Sequence, residues 1–123
     1  MSALILVVDD IADNLQLVVD VLEGAGHQVI TASDGPTTLK RAAAEQPNLI
    51  VLDVAMPGMS GLQVCARLKA NAETAAIPIL LLTALADNIT RSEAKHLAEG
   101  YLTKPFTPIE LRSGVARCLA GNY

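Results

Sequence analysis

Five polar residues stand at or just after the ends of short apolar runs, and their side chains suit phosphoryl chemistry. Asp9 and Asp10 follow the first run, Asp53 ends a second, Thr83 ends a third and Lys104 follows a fourth. Carboxylate oxygens are preferred ligands of a hard divalent cation such as Mg²⁺, and a carboxylate can itself become an aspartyl phosphate. A lysine ammonium and a hydroxyl group can both donate hydrogen bonds to phosphoryl oxygens. If the fold brings them together, these residues predict a site for a divalent cation and a phosphoryl group.

Each of these residues also has a plainer interpretation. Asp9 and Asp10 could only cap a helix, because an acid favours a helix N-terminus, but one acid would suffice for that. Adjacent carboxylates raise one another's pKa unless a cation compensates them, which favours the metal interpretation. Taken alone, Asp53 fits a loop cap, Thr83 a strand-favouring residue and Lys104 a solvated lysine. Because these residues are expected to lie close together, we favour the interpretation that they form a functional site.

The elements that must position these residues alternate along the chain. Predicted strands cover about 4–8, 27–32, 48–53, 78–83 and 101–103, and predicted helices about 13–24, 35–46, 61–71, 87–98 and 108–120. This order predicts an α/β fold, a doubly wound (βα)5 three-layer sandwich of the flavodoxin-like kind with a five-stranded parallel sheet. The expected strand order 2-1-3-4-5 places the first and third strands side by side at the switch point. All three acids then meet at one edge of the sheet.

Composition narrows the function classes. Of the 123 residues, 51% are hydrophobic and 18% charged, which indicates one globular domain over residues 1–123. The net charge of −4 and nine scattered basic residues argue against direct nucleic-acid binding. No apolar run approaches the ~18–20 residues that cross a bilayer, so we expect no membrane insertion. The absence of a signal-like amino terminus and the isolated cysteines Cys65 and Cys118 predict a cytoplasmic protein with free thiols.

Five motifs in order resemble a known family. They are Leu6-Val-Val-Asp-Asp10, Leu52-Asp53, Met56-Pro-Gly-Met-Ser-Gly61, Leu82-Thr83-Ala84 and Tyr101-Leu-Thr-Lys-Pro-Phe106. Together they resemble the receiver domain of two-component response regulators, of the stand-alone CheY-like type, over essentially the whole chain. The resemblance implies a phosphorylation-dependent signalling module rather than a turnover enzyme, one that promotes only its own phosphorylation and dephosphorylation.

The resemblance also assigns roles at the acidic site. It implies that Asp53 accepts a phosphoryl group from the phosphohistidine of a sensor histidine kinase or a histidine phosphotransfer protein. It implies that Asp10 binds Mg²⁺ directly and Asp9 largely through water. Asp53 and the backbone carbonyl of Ala55 are implied as the remaining protein ligands.

A switch is implied beside that site. Thr83 and Lys104 are implied to hold phosphoryl oxygens. Tyr101 matches the family's aromatic residue that turns inward as Thr83 moves. These two movements are implied to change the face formed by helix four, strand five and helix five. Phosphorylation adds about one negative charge and strong acceptor oxygens, and the predicted helix over 87–98 has a thin apolar face that suits a movable element. The Lys104–Pro105 bond is a candidate cis peptide.

Some features depart from the family pattern or leave alternatives open. The segment between Thr83 and Lys104 is about one residue short, so helix four is expected to be irregular near its end. A small Mg²⁺-dependent aspartyl-nucleophile phosphatase or phosphotransferase is the main alternative, but it needs a second acid where Ala55 stands. A flavin-binding domain would need a phosphate-cradling first loop, and Asp9–Asp13 would repel phosphate there. With only Gly121–Tyr123 after the last helix, the chain is either stand-alone or an excised receiver.

The first helix suggests a partner surface. Its sheet-facing stripe consists of Leu15, Val18, Val19 and Leu22. Leu17 and Val21 fall off that stripe and pair at i and i+4. They form either a kinase docking surface or an apolar pair covered by the last helix.

Overall fold

Five parallel strands and five helices alternate along the chain in a computed structural model that describes residues 2–122. The elements are β1 (Leu4–Val8), α1 (Ala12–Gly24), β2 (Gln28–Ala32), α2 (Gly35–Glu45), β3 (Leu49–Asp53), α3 (Gly61–Ala70), β4 (Ile79–Thr83), a 3-10 turn (Leu85–Asp87), α4 (Arg91–Leu97), β5 (Gly100–Thr103) and α5 (Pro108–Ala120). The strand order is β2-β1-β3-β4-β5, which confirms the predicted doubly wound sheet.

The register of the sheet brings the strand ends together. Along β1 and β3, Val8 pairs with Leu52, and Asp53 at the end of β3 pairs with Leu82 of β4. Every residue of β3 and β4 is buried, because parallel strands in the middle of a three-layer fold are covered on both faces. Three adjacent strands therefore end at one edge of the sheet.

Two apolar cores lie on opposite faces of this sheet. One contains Val64 and Cys65 of α3 together with Ala42 of α2. The other contains Leu22 of α1 and Cys118 of α5. The two cysteines are free, as the sequence predicted, and the structure places them in different cores. Within residues 2–122, no helix is both long and apolar enough to cross a bilayer.

Helix boundaries agree with the sequence where side chains cap the helix. Ser60 and Gln63 form a capping box at the start of α3, in which each side chain accepts the other residue's backbone N–H. Thr107 and Glu110 do the same for α5. These reciprocal hydrogen bonds satisfy amides that the helix itself leaves free, and so they fix where each helix begins.

The predicted helix over 87–98 is wrong at its start. Asp87 closes a 3-10 turn instead, where its carboxylate accepts the N–H of Ala84. Asn88 then adopts a left-handed conformation with φ of 57°, which interrupts any helix. Thr90 caps α4, which begins at Arg91 and has only seven residues. An irregularity was expected near the end of this helix, but the structure places it mainly before the helix begins at Arg91.

Candidate functional site

Three carboxylates form a cluster at the ends of β1 and β3. One oxygen from each of Asp9, Asp10 and Asp53 lies within 4.8 Å of the others. Asp9 and Asp53 are each only 2% exposed, whereas Asp10 is partly exposed. The structure therefore brings together the three acids that the sequence placed at neighbouring strand ends.

Burial raises the free energy of the ionised carboxylates in this cluster. Desolvation raises the pKa of Asp53 above its usual value, although the hydrogen bond and charge of Lys104 oppose the rise. Desolvation also raises the pKa of Asp9, against the hydrogen bond that Ile11 N–H donates to Asp9 Oδ1 at 2.9 Å. A bound cation would compensate carboxylates that repel one another in a buried site.

The donor set fits a hard divalent cation. The Oδ1 atom of Asp10 is buried and has no hydrogen-bond partner among the described residues, which is costly for a carboxylate unless it binds a cation. Asp9 and Asp53 add further carboxylate oxygens within reach. Few carboxylates, with room for water at the partly exposed Asp10, suit Mg²⁺. Ala55 lies exposed two residues beyond Asp53, and its carbonyl as a ligand stays a prediction.

Lys104 reaches the cluster from the loop between β5 and α5. Its Nζ lies 2.5 Å from Oδ1 of Asp53, and its side chain is 29% exposed. Its backbone N–H donates to the carbonyl of Thr83 at 2.7 Å, which ties the loop to the end of β4. The Lys104–Pro105 bond is cis, as the sequence suggested. A cationic side chain thus lies beside Asp53, one of the two buried acids.

The two proposed switch residues lie near the site in a resting arrangement. The Thr83 side chain is buried, and its hydroxyl donates a long hydrogen bond of 3.5 Å to the carbonyl of Leu102. Tyr101 on β5 is half-buried and packs against the core beneath α3 and α4. Thr83 is therefore engaged with the neighbouring strand rather than free.

Of two further residues beside the site, the sequence did not place Asp87 there, whereas glycine at position 61 indicated a close helix approach. The sequence predicted only the start of a helix at Asp87, but the charge of Asp87 is among the influences that raise the pKa of Asp53. A Cβ atom at Gly61 would overlap the carbonyl oxygen of Asp53 and come within 2.8 Å of Val54 Cα. The glycine after a capping serine was a visible signal of close approach, whereas no signal placed Asp87 near Asp53.

An apolar groove opens beside the cluster, between α1 and α5. It has a volume of about 330 Å³, and its lining includes Leu17, Val21, Phe106 and Lys104. Leu17 is 65% exposed, so the alternative that α5 covers it is wrong. Val21 is half-buried and packs against the core that contains α5, so for this residue that alternative holds in part.

Comparisons with known proteins agree with this geometry. The family model described as the response regulator receiver domain matches residues 5–116. The response regulator PleD of Caulobacter vibrioides is 46% identical over 114 residues, which cover 90% of this chain but only 25% of PleD. Protein PilH of Pseudomonas aeruginosa is 35% identical over 97% of this chain and 99% of its own length.

Solved structures match the fold as well. The chemotaxis response regulator CheY4 of Vibrio cholerae superposes with a TM-score of 0.86 and 34% identity, over 96% of this chain and 99% of CheY4. The receiver domain of the sensor histidine kinase PA1611 from Pseudomonas aeruginosa gives a TM-score of 0.87 at 26% identity, over 98% of this chain and 99% of that chain. The latter structure has a magnesium ion coordinated in its active-site cleft.

Proposed function

The chain belongs to the response regulator receiver domain family of two-component signalling, and from this premise we propose that Asp53 is the residue that receives the phosphoryl group. The observation that carries the proposal is the ion pair between Lys104 Nζ and Asp53 Oδ1 within a cluster of acids. Asp53 is the acid of this cluster that contacts a cationic side chain. It also ends a fully buried strand, which fixes its position.

The reaction follows from this arrangement. An Asp53 carboxylate oxygen attacks the phosphorus of a phosphohistidine, so an O–P bond forms while the N–P bond breaks. The departing imidazole nitrogen keeps the bonding electron pair and takes a proton from solvent. Lys104 then donates to a phosphoryl oxygen instead of the free carboxylate, and Thr83 turns its hydroxyl from Leu102 to another phosphoryl oxygen. Fixed donors that meet the developing charge are the main source of catalysis in phosphoryl transfer.

Mg²⁺ is the cofactor we propose for this site. Asp10 would bind it directly, Asp9 largely through water, and Asp53 and the Ala55 carbonyl would complete the protein ligands. When bound, the ion neutralises charge on the phosphoryl oxygens. The magnesium ion in the cleft of the PA1611 receiver domain supports this assignment.

The proposed donor is a sensor histidine kinase or a histidine phosphotransfer protein that docks over the groove between α1 and α5. Leu17 is an exposed leucine that lines this groove, and Lys104 and Asp9 of the acidic site line it as well. Exposed apolar side chains beside a charged site mark partner surfaces. Leu17→Ser should slow transfer from the cognate kinase and leave labelling by acetyl phosphate unchanged, whereas Ile109→Ser, at a similarly exposed aliphatic residue on α5, should alter neither. Equal loss of both activities in Leu17→Ser would contradict the docking proposal.

The output we propose is a change in the face formed by α4, β5 and α5, with Tyr101 turning inward as Thr83 moves. Tyr101 is half-buried in this structure, so an inward turn would bury more of its ring. We propose no turnover activity of its own, because Ala55 stands where an aspartyl-nucleophile phosphatase needs a second acid.

The free thiols of Cys65 and Cys118 support a cytoplasmic place of action, where thiols stay reduced.

Mass spectrometry after incubation with acetyl phosphate and Mg²⁺ tests the proposal. Wild type should gain one labile phosphoryl group, and Asp53→Asn should gain none. Asp20→Asn is the matched control, because Asp20 is an exposed acid on α1 whose side chain accepts a hydrogen bond from Gln16. Labelling of Asp53→Asn at the rate of wild type would contradict the assignment.

A further inference from the structure

Asp87 and Ala84 form a closed hydrogen-bonded pair just after β4. The Asp87 carboxylate accepts the backbone N–H of Ala84 at 2.6 Å. In return, the backbone N–H of Asp87 donates to the carbonyl of Ala84 at 3.0 Å. Charge-assisted hydrogen bonds of this length are stronger than neutral ones. The pair therefore fixes the 3-10 turn in its resting form.

The sheet places this turn beside the acceptor. Asp53 pairs with Leu82, and the N–H of Val54 donates to the Leu82 carbonyl at 3.1 Å. Ala84 follows only two residues after Leu82, so the turn starts at the same edge as the acidic cluster. The negative charge of Asp87 accordingly acts on Asp53. Among residues 2–122, no lysine or arginine forms an ion pair with Asp87 that would neutralise this charge.

The helix beyond the turn is anchored mainly at its far end. Ala94 is its one buried residue among Arg91–Leu97. At the carboxyl end, Cys65 Sγ donates to the carbonyl of Leu97 at 2.8 Å. Just beyond, the Glu99 side chain binds Lys69 Nζ at 2.7 Å. At the amino end, Thr90 caps α4 and the half-buried Ile89 packs against the core, but within residues 2–122 no side-chain hydrogen bond or ion pair joins this end to another element.

We propose that Asp87 is an electrostatic latch that couples the charge on Asp53 to the position of α4. At rest, its carboxylate holds the turn closed through Ala84 N–H. Phosphorylation raises the charge at Asp53 from about −1 to about −2, and this repels the Asp87 carboxylate and weakens the latch. The amino end of α4 is then released while Leu97 and Glu99 hold the other end. The inference rests on the proposed phosphorylation of Asp53, and Asp87 is a positioning residue that takes no part in the chemistry.

Two substitutions separate the charge of Asp87 from its hydrogen bond. Asp87→Asn keeps an acceptor oxygen for Ala84 N–H but removes the charge, whereas Asp87→Ala removes both. We expect Asp87→Asn to stay latched after phosphorylation and Asp87→Ala to be released before it. A residue with only a structural role would not give opposite results for the two variants.

Amide hydrogen exchange at Ala84 and along α4 provides the test, with phosphoryl uptake followed by mass in the same samples. In wild type, acetyl phosphate and Mg²⁺ should lower protection of these amides by about 10-fold, the size expected for loss of one hydrogen bond to a charged group. Asp87→Ala should show that lower protection at rest, and Asp87→Asn should show little change although it is phosphorylated.

Three outcomes would overturn the latch. They are resting protection in Asp87→Ala equal to wild type, a full response in Asp87→Asn, and no loss of protection in phosphorylated wild type. Absence of any phosphoryl group on wild type would overturn the proposed function together with the latch. The mass measurement therefore distinguishes failure of the latch from failure of the proposed function.

Discussion

The two halves of the site are held in very different ways. On one side, Asp53 ends a strand in which every residue is buried, and the start of α3 at Gly61 lies directly against its carbonyl. On the other side, the chain leaves β4 through a 3-10 turn and a left-handed Asn88 before a helix with one buried residue. The first half fixes charges in space, and the second half is free to respond to them.

This difference separates binding from response within one small domain. Regions with few buried apolar contacts open at low free-energy cost, whereas central strands open only with global unfolding. A phosphoryl group bound to the fixed half can therefore change the loosely held half without disturbing its own site. The rigidity of β3 and the weakness of α4 are complementary requirements of a switch.

The largest expected effect comes from removing a proposed metal ligand in the fixed half. Asp10→Asn should slow phosphorylation by acetyl phosphate at least as much as the about 10–100-fold that loss of an outer partner typically costs a metal site. The physical reason is that Asp10 Oδ1 is buried and has no hydrogen-bond partner within the part of the chain that the structure describes. Labelling rates should be compared over a range of Mg²⁺ concentrations. A variant with wild-type rate and wild-type Mg²⁺ dependence would show that Asp10 is not a ligand.

A methyl group in the fixed half should be nearly as damaging. Gly61→Ala should lower the free energy of unfolding by about 3 kcal/mol, because the new Cβ meets the rigid backbone of Asp53 and Val54. Gly24→Ala is the control, since within residues 2–122 no atom beyond its own helix turn and chain neighbours lies within 4 Å of its Cβ position. Urea unfolding of both variants tests this, and similar midpoints for the two would mean that α3 can move away from β3.

Ala55 in the fixed half and Leu85 in the loosely held half are expected to affect the lifetime of the phosphoryl group. Ala55 and Leu85 are both exposed beside the site, and neither can position a water molecule for attack. We expect slow dephosphorylation for the family, and Ala55→Asn with Leu85→Glu should accelerate decay by about 10-fold. The decay of the phosphorylated form, followed by mass without added phosphatase, gives the rate. An unchanged rate in the double variant would show that these positions do not control water.

The ionised form of Asp53 in the fixed half should measurably lower the free energy of unfolding. Because the pKa of Asp53 is raised above 3.8 in the folded protein, the folded state binds more protons than the unfolded state above that pH. Stability therefore falls as pH rises from about 3.8 through the raised pKa, and the full cost remains at neutral pH. Without Mg²⁺, Asp53→Asn should be more stable than wild type at pH 7 and should lose this advantage below pH 3.8. An advantage independent of pH would contradict this explanation.

The smallest effect is expected in the loosely held half. Thr90→Ala removes the cap of α4 and should cost about 1 kcal/mol locally. Because α4 has one buried residue, this cost should increase hydrogen exchange in α4 without changing the midpoint of global unfolding. Thr107→Ala, at the cap of the well-packed α5, should lower the global midpoint instead. Equal effects of the two variants on global unfolding would show that α4 is as firmly packed as α5.

The fixed half was predictable from the sequence, whereas the loose half was less so. Apolar runs that end in Asp9 and Asp53 define buried strands, and strand ends in a parallel sheet must meet, so the cluster followed directly. The start of α4 was not predictable in this way, because Asp87 suits a helix cap and a 3-10 turn equally well. The left-handed conformation of Asn88 favours the 3-10 turn over the helix cap, and no local sequence pattern predicted that conformation. The exposure of Leu17 likewise depended on how far α5 covers α1.

Hydrogen exchange across the whole chain, measured with and without the phosphoryl group, tests most directly the claim that one half binds and the other responds. Samples of wild type with Mg²⁺ would be compared before and after acetyl phosphate, with Asp53→Asn treated identically. We predict that protection changes over residues 84–98 and stays constant in β1 and β3, and that Asp53→Asn shows no change. A uniform change over the sheet, or stoichiometric phosphorylation with no change over 84–98, would contradict the account.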